Sequence, residues 1–174
     1  EKGIFLPGVS GNSIQIGSST DFELVTLGNP DVLYIIWIKR ETGFSTGNYQ
    51  NFLGRGTNTL AANFEFQIGT ISGGVGVTGS FSNGTTISQS SGATLDNTFN
   101  ALLDTTAQVA FAFEGGVTKM YLNGALIKSG VTMSKPFNDI NLPIFIGAGL
   151  GGAVLKALIK RVGMTKLGYG KTAA

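Results

Sequence analysis

The stretch Ala107–Lys128, AQVAFAFEGGVTKMYLNGALIK, decides the fold. Gln108–Phe113 sets Val109, Phe111 and Phe113 on one side and Ala110 and Ala112 on the other, which is the period-two pattern of a strand. Glu114-Gly115-Gly116 interrupts it, and Val117–Leu122 resumes it. In that second strand Thr118, Met120 and Leu122 are expected to face a core, while Val117, Lys119 and Tyr121 face away. Asn123-Gly124 then supplies two residues that tolerate positive φ, the strongest short hairpin signal in the chain, and Ala125–Lys128 returns. Three antiparallel strands in one run predict an all-β protein.

Working outward, short strands separated by turn residues recur along the chain. They are expected at Ser13–Ile16, Phe22–Leu27, Val32–Lys39, Gly74–Ser80, Gly84–Ser88, Leu142–Ile146 and Ala153–Met164. Asn51–Gly54 and Leu60–Ile68 read as a hairpin around Arg55-Gly56-Thr57-Asn58. Val154–Val162 also fits helical spacing, but Gly151-Gly152 and Gly163 would leave that helix short and poorly capped, so a strand is expected. About twelve strands with turns every ~8–12 residues predict an antiparallel two-sheet jelly-roll sandwich. Residues 1–174 read as one domain, with 165–174 as a terminal tail.

Composition agrees. Gly, Ser, Thr and Asn make up 70 of the 174 residues, and only 13% are charged. The chain contains no His and no Cys, which excludes His-based triads, His- or thiolate-ligated metals and disulfides. No apolar run is long enough for a spanning helix. The opening EKGIFLPG does not read as a signal peptide, and a start at Glu1 reads as a fragment or processed product. Charge is lopsided: residues 1–118 carry a formal −5 and residues 119–174 a formal +7. The basic residues are scattered among apolar ones with no nucleic-acid motif beside them, so a solvated surface is favoured over nucleic-acid binding.

Three segments resemble the concanavalin A-like, laminin G-like jelly-roll superfamily. Val32–Lys39 (VLYIIWIK) is similar to its apolar strand, Ala107–Lys128 to its hairpin, and Leu142–Gly147 with Leu158–Leu167 (LPIFIG, LIKRVGMTKL) to its closing strands. Phe5–Ile16 (FLPGVSGNSIQI) looks like the start of such domains, including versions in bacteriophage structural proteins. The resemblance implies a two-sheet sandwich and no particular function, because the matching positions belong to strands and turns. This chain has Lys160-Arg161 where the family's closing strand often carries acids. That departure argues against a calcium site there, and no metal or cofactor is expected.

The acids do not form the alternate-position set of a glycoside hydrolase. Asp21 and Glu23 are the single i,i+2 pair, with no third acid beside them, so no catalytic residue is expected. Asn138-Asp139 with Asn141, and Asp96-Asn97, are the richest oxygen clusters, and turn chemistry explains both. Gly147-Ala148-Gly149 lacks the context of a phosphate loop. Val32–Lys39 is apolar on both faces, so Leu33, Ile35 and Trp37 must meet a loop, a partner or a ligand. Jelly-roll lectins, which the chain resembles, bind through loops and concave faces. The candidate ligand-binding residues are therefore Phe44, Asn48, Tyr49, Asn51, Arg55 and Asn58, with Trp37 and Tyr121 on the sheet: rings to stack on a sugar, amides and a guanidinium for its hydroxyls. The expected role is a non-catalytic recognition or adhesion module for surface glycans within a phage virion, as fibre, tail or capsid decoration. Outside a virion, it would be extracellular or on a cell surface. The alternative is a purely structural virion subunit or homo-oligomer whose two-faced strand is an interface.

Overall fold

The computed structural model of the chain describes residues 3–7, 14–16, 24, 28, 30–40, 51–56, 60, 62, 64–70, 77–91, 105–140, 142–147 and 156–167. Twelve strands run through these residues: β1 Ile4–Pro7, β2 Ile14–Ile16, β3 Val32–Arg40, β4 Asn51–Gly56, β5 Phe64–Thr70, β6 Val77–Ser82, β7 Ile87–Ser91, β8 Thr106–Glu114, β9 Val117–Leu122, β10 Ala125–Thr132, β11 Ile144–Ile146 and β12 Lys156–Lys166. The first sheet has the order β1-β12-β3-β8-β9-β10 and the second β2-β11-β4-β5-β6-β7. All pairings are antiparallel, so the architecture is the expected two-sheet sandwich.

The two tight turns behave as their residues require. Gly115 and Gly116 join β8 to β9 with φ of 60° and 81°, and Asn123 and Gly124 join β9 to β10 with φ of 49° and 83°. Positive φ at both central positions is the geometry whose twist matches paired strands. The 154–162 ambiguity resolves as a strand, since β12 sits between β1 and β3. It continues to Lys166, opposite Val32, and the Leu167 N–H donates to the Asp31 carbonyl at 2.8 Å.

Some expected boundaries shift. Gly84 does not open a strand; it lies in a turn at φ 89°, where the Asn83 side-chain oxygen accepts from the Thr85 and Thr86 N–H groups at 3.1 and 2.8 Å. The following strand starts at Ile87. Arg55-Gly56 is the end of β4 rather than a turn, because Arg55 pairs with Phe66 and Gly56 with Phe64. Of the strand expected at 22–27, Leu24 is a buried turn residue; the other five positions lie outside the described residues.

The core is aromatic and joins the two layers. Tyr34 of β3 stacks on Phe66 of β5 with ring centroids 4.3 Å apart, and Phe81 of β6 stacks on Phe111 of β8 at 5.2 Å. Phe113 meets Phe81 edge-on at 5.3 Å and Phe137 at 4.9 Å. Such offset and edge contacts suit the ring quadrupoles. Gly79 makes room for this stack: a Cβ there would lie 1.7 Å from the Phe111 ring. Between β7 and β9 the contact is polar, with Thr118 Oγ1 2.7 Å from Ser88 Oγ and the Ser88 hydroxyl donating to the Val131 carbonyl.

Candidate functional site

The outer face of the first sheet follows from strand alternation and register. In β3, Val32, Tyr34, Ile36 and Ile38 are buried, while Leu33, Ile35, Trp37 and Lys39 are half-buried on the opposite side. Across β8, Leu33 pairs with Ala112, Ile35 with Ala110 and Trp37 with Gln108. Beyond these, Ala110 pairs with Tyr121 and Ala112 with Lys119. On the other flank, Arg161, Gly163 and Thr165 of β12 pair with Trp37, Ile35 and Leu33. The result is a shallow groove of about 120 Å³ bordered by Leu33, Ile35, Trp37, Arg161, Gly163 and Thr165. Small side chains, Ala110 and Ala112, sit low on the far side of β3, below the larger Tyr121 and Lys119 of β9.

The register of β12 matters at this groove. Ile159 pairs with Ile38 and Arg161 with Trp37, so Lys160 is an extra residue in a bulge. A regular strand would have set Arg161 opposite Ile36, toward the core; the bulge turns it outward. There its guanidinium carbon lies over the Trp37 ring, 5.1 Å from the centroid, a cation–π geometry. Gly163, two residues on, has ordinary φ, and a Cβ built on it meets nothing within 4 Å.

Two other cations near this sheet, Lys119 and Lys135, are paired. Lys119 Nζ lies 2.6 Å from Glu114, a hydrogen bond that pushes the lysine above its usual 10.5. Asp31 accepts from Lys135 at 2.7 Å and from the Gly115 N–H at 3.1 Å. Partial burial pushes the Asp31 carboxyl up, but these two hydrogen bonds and the nearby lysine charges prevail and hold it below 3.8.

Of the candidate ligand-binding residues, Trp37 and Tyr121 share the outer face of the first sheet, on opposite sides of β8. Phe44, Asn48, Tyr49 and Asn58 lie outside the described residues. Asn51 is in β4 opposite Gly69, within a strand rather than a loop. Arg55 is not a surface donor: it is fully buried, with Nε 3.2 Å from Glu65, whose other carboxylate oxygen accepts the Leu24 N–H at 2.6 Å. This pair lies near Tyr34. Burial pushes that hydroxyl's pKa well above 10, with the Glu65 charge adding and the Arg55 charge opposing. Sequence reasoning missed Arg161 and Gly163. The signal was available in Ala157, Ile159, Val162 and Met164: inward positions two apart, then three, then two, which is the mark of a bulge.

Among the described residues, no group of three or more acids forms a metal centre. Asn138, part of an expected oxygen cluster, donates to the Phe64 carbonyl at 3.0 Å, and its N–H to the Ser82 carbonyl at 2.8 Å. No helix among the described residues is long and apolar enough to cross a membrane.

Residues 11–164 match the family model described as the concanavalin A-like lectin/glucanases superfamily. The chain belongs to this superfamily. No curated protein is significantly similar to it in sequence. Among solved structures, it is similar to domains LG4-5 of the mouse laminin α1 chain, with a TM-score of 0.65 and 12% identity over 95% of its length and 41% of that chain. It thus spans less than half of that laminin structure. It is also similar to the CBM40 of the Ruminococcus gnavus IT-sialidase, with a TM-score of 0.61 and 19% identity over 94% of its length and 89% of that chain. That module has been seen bound to α2,3 sialyllactose. Domain 4 of the Geobacillus stearothermophilus extracellular arabinanase AbnA, in complex with arabinotriose, matches with a TM-score of 0.56 and 16% identity over 91% of this chain and 69% of its own. At these identities the likeness establishes the fold.

Proposed function

We propose that this chain is a non-catalytic carbohydrate-recognition module whose ligand lies along the groove between Trp37, Arg161, Gly163 and Ile35. The observation that carries the reading is Gly163. A glycine inside a strand weakens it and often marks a bulge, a bend or a close approach of a ligand or backbone; Gly163 lies past the β12 bulge and pairs directly with Ile35. Here neither a positive φ nor a neighbouring atom demands glycine, so the open space serves whatever sits in the groove. Beside it are half-buried apolar side chains for the carbon face of a sugar and a cation for its polar edge. Two solved structures of this fold hold sialyllactose and arabinotriose, which supports a glycan over another ligand. The groove is lined by Leu33, Ile35, Trp37, Arg161, Gly163, Met164 and Thr165, with no acid among them, which supports a binding rather than a catalytic reading of this groove. We place the module outside the cell or on its surface, within a phage fibre, tail or capsid decoration, where abundant Gly, Ser, Thr and Asn and few charges are in keeping. Its gene lying among tail or capsid genes, with its peptides in purified particles, tests that setting.

The experiment is a glycan array with the wild-type chain and Gly163→Val. The variant is expected to fold with unchanged or slightly higher stability and to lose glycan binding, since its side chain fills the groove. Full binding by a folded Gly163→Val would move the site elsewhere. A second reading is favoured by the apolar outer side of β3 and by Phe5, which is 51% exposed on β1: a structural subunit that buries this face against another subunit. No glycan bound, together with a wild-type oligomer that Gly163→Val dissociates in light scattering, would establish that reading instead.

A further inference from the structure

We infer that the groove selects sugars bearing a carboxylate or sulfate group, with Arg161 as the anion contact and Trp37 as the residue that positions it. This rests on the carbohydrate reading above and narrows its ligand class. Three charge pairs hold their cations elsewhere: Lys119 with Glu114, Lys135 with Asp31 and Arg55 with Glu65. Arg161 is exposed and has no carboxylate partner among the described residues, although it borders the groove. What holds it is the Trp37 ring, 5.1 Å from its guanidinium carbon.

That arrangement has a chemical consequence. With the ring on one side, the guanidinium keeps N–H donors for a second partner, and its N–H fork fits a planar carboxylate or a sulfate edge. A bound sugar ring then rests on Leu33 and Ile35 above Gly163, with its acidic group turned to Arg161. The β12 bulge shows that the cation is placed by the backbone itself. Lys160 and Arg161 together oppose the single residue Trp37, so two basic residues stand where a regular strand would offer one. In this account Trp37 is a positioning residue rather than a platform for the sugar, because one of its faces is taken.

The test compares three matched pairs: α2,3-sialyllactose with lactose, oligogalacturonate with its methyl ester, and a sulfated galactan oligosaccharide with its desulfated form. Calorimetry should show at least one acidic member bound about tenfold or more tighter than its neutral partner. The pair that shows it distinguishes a terminal acidic sugar, a uronate chain and a sulfate ester. Arg161→Gln should bring the two members within about twofold of each other. Trp37, the chain's one tryptophan, gives a signature that mere folding would not: its fluorescence should change on adding the acidic sugar to wild type and not to Arg161→Gln. Trp37→Ala should lose the acid preference while staying folded. Equal binding of acidic and neutral partners, or a preference that survives Arg161→Gln, overturns this inference and leaves the carbohydrate reading standing. Failure of every sugar, acidic or neutral, overturns both.

Discussion

Arg55 and Arg161 show how little a residue type says without its register. From the sequence, Arg55 in an Arg-Gly-Thr-Asn stretch reads as a loop donor; in the fold it ends β4 and is wholly buried against Glu65. Taking away one member of a buried pair strands the other charge in a poor dielectric, which typically costs about 3–5 kcal/mol. Arg55→Met is therefore expected to lower the urea midpoint sharply, and Arg55→Met with Glu65→Leu to recover much of the loss. If Arg55→Met kept wild-type stability but lost glycan binding, the arginine would be a ligand residue after all. Arg161 was legible only through the spacing of its apolar neighbours. Ile159 and Val162 face inward three residues apart, and a bulge is what allows it.

At the scale of the elements, the alternating strands were readable because each has one face on the core. Thr118, Met120 and Leu122 are buried and Lys119 and Tyr121 half-buried, as their pattern dictates, and Val109, Phe111 and Phe113 join the core; Ala110 and Ala112, small and low on the other face of β8, are buried too. Strand ends were less readable where the turn is made by side chains. The Asn83 carboxamide organises the turn before β7, and no alternation of apolar residues announces it. The end of the sandwich near β3 is held the same way: Asp31 ties Lys135, the β8–β9 turn at Gly115 and, through its carbonyl, Leu167. This makes a pH prediction. The folded Asp31 carboxyl is held below the unfolded value, so its contribution is present above about pH 3.8 and fades as the pH falls through the lower, folded value. Asp31→Asn should melt below wild type at neutral pH, with the gap closing in acid. Melting curves recorded at descending pH check it, and a gap that widened in acid would reverse the sign argued here.

For the whole molecule, the question is whether two sheets make one folding unit. The ring stack argues that they do: Phe81, on the second sheet, touches Phe111 and Phe113 of the first, while Tyr34 of the first stacks on Phe66 of the second. A core shared this evenly leaves neither layer able to keep its apolar face dry alone. Phe81→Ala removes the ring at the crossing point, and a buried Phe→Ala typically costs about 3–5 kcal/mol. At ~2–4 °C per kcal/mol for a chain of this size, the melting temperature should fall by on the order of 10 °C. Trp37 lies on the outer face of the opposite sheet, so its fluorescence reports unfolding far from the deletion. In the Phe81→Ala variant it should shift with far-UV circular dichroism through one coincident transition. A tryptophan signal that kept its wild-type midpoint while the dichroism moved would mean that the layers melt separately. The groove on the first sheet would then not depend on the second sheet for its shape.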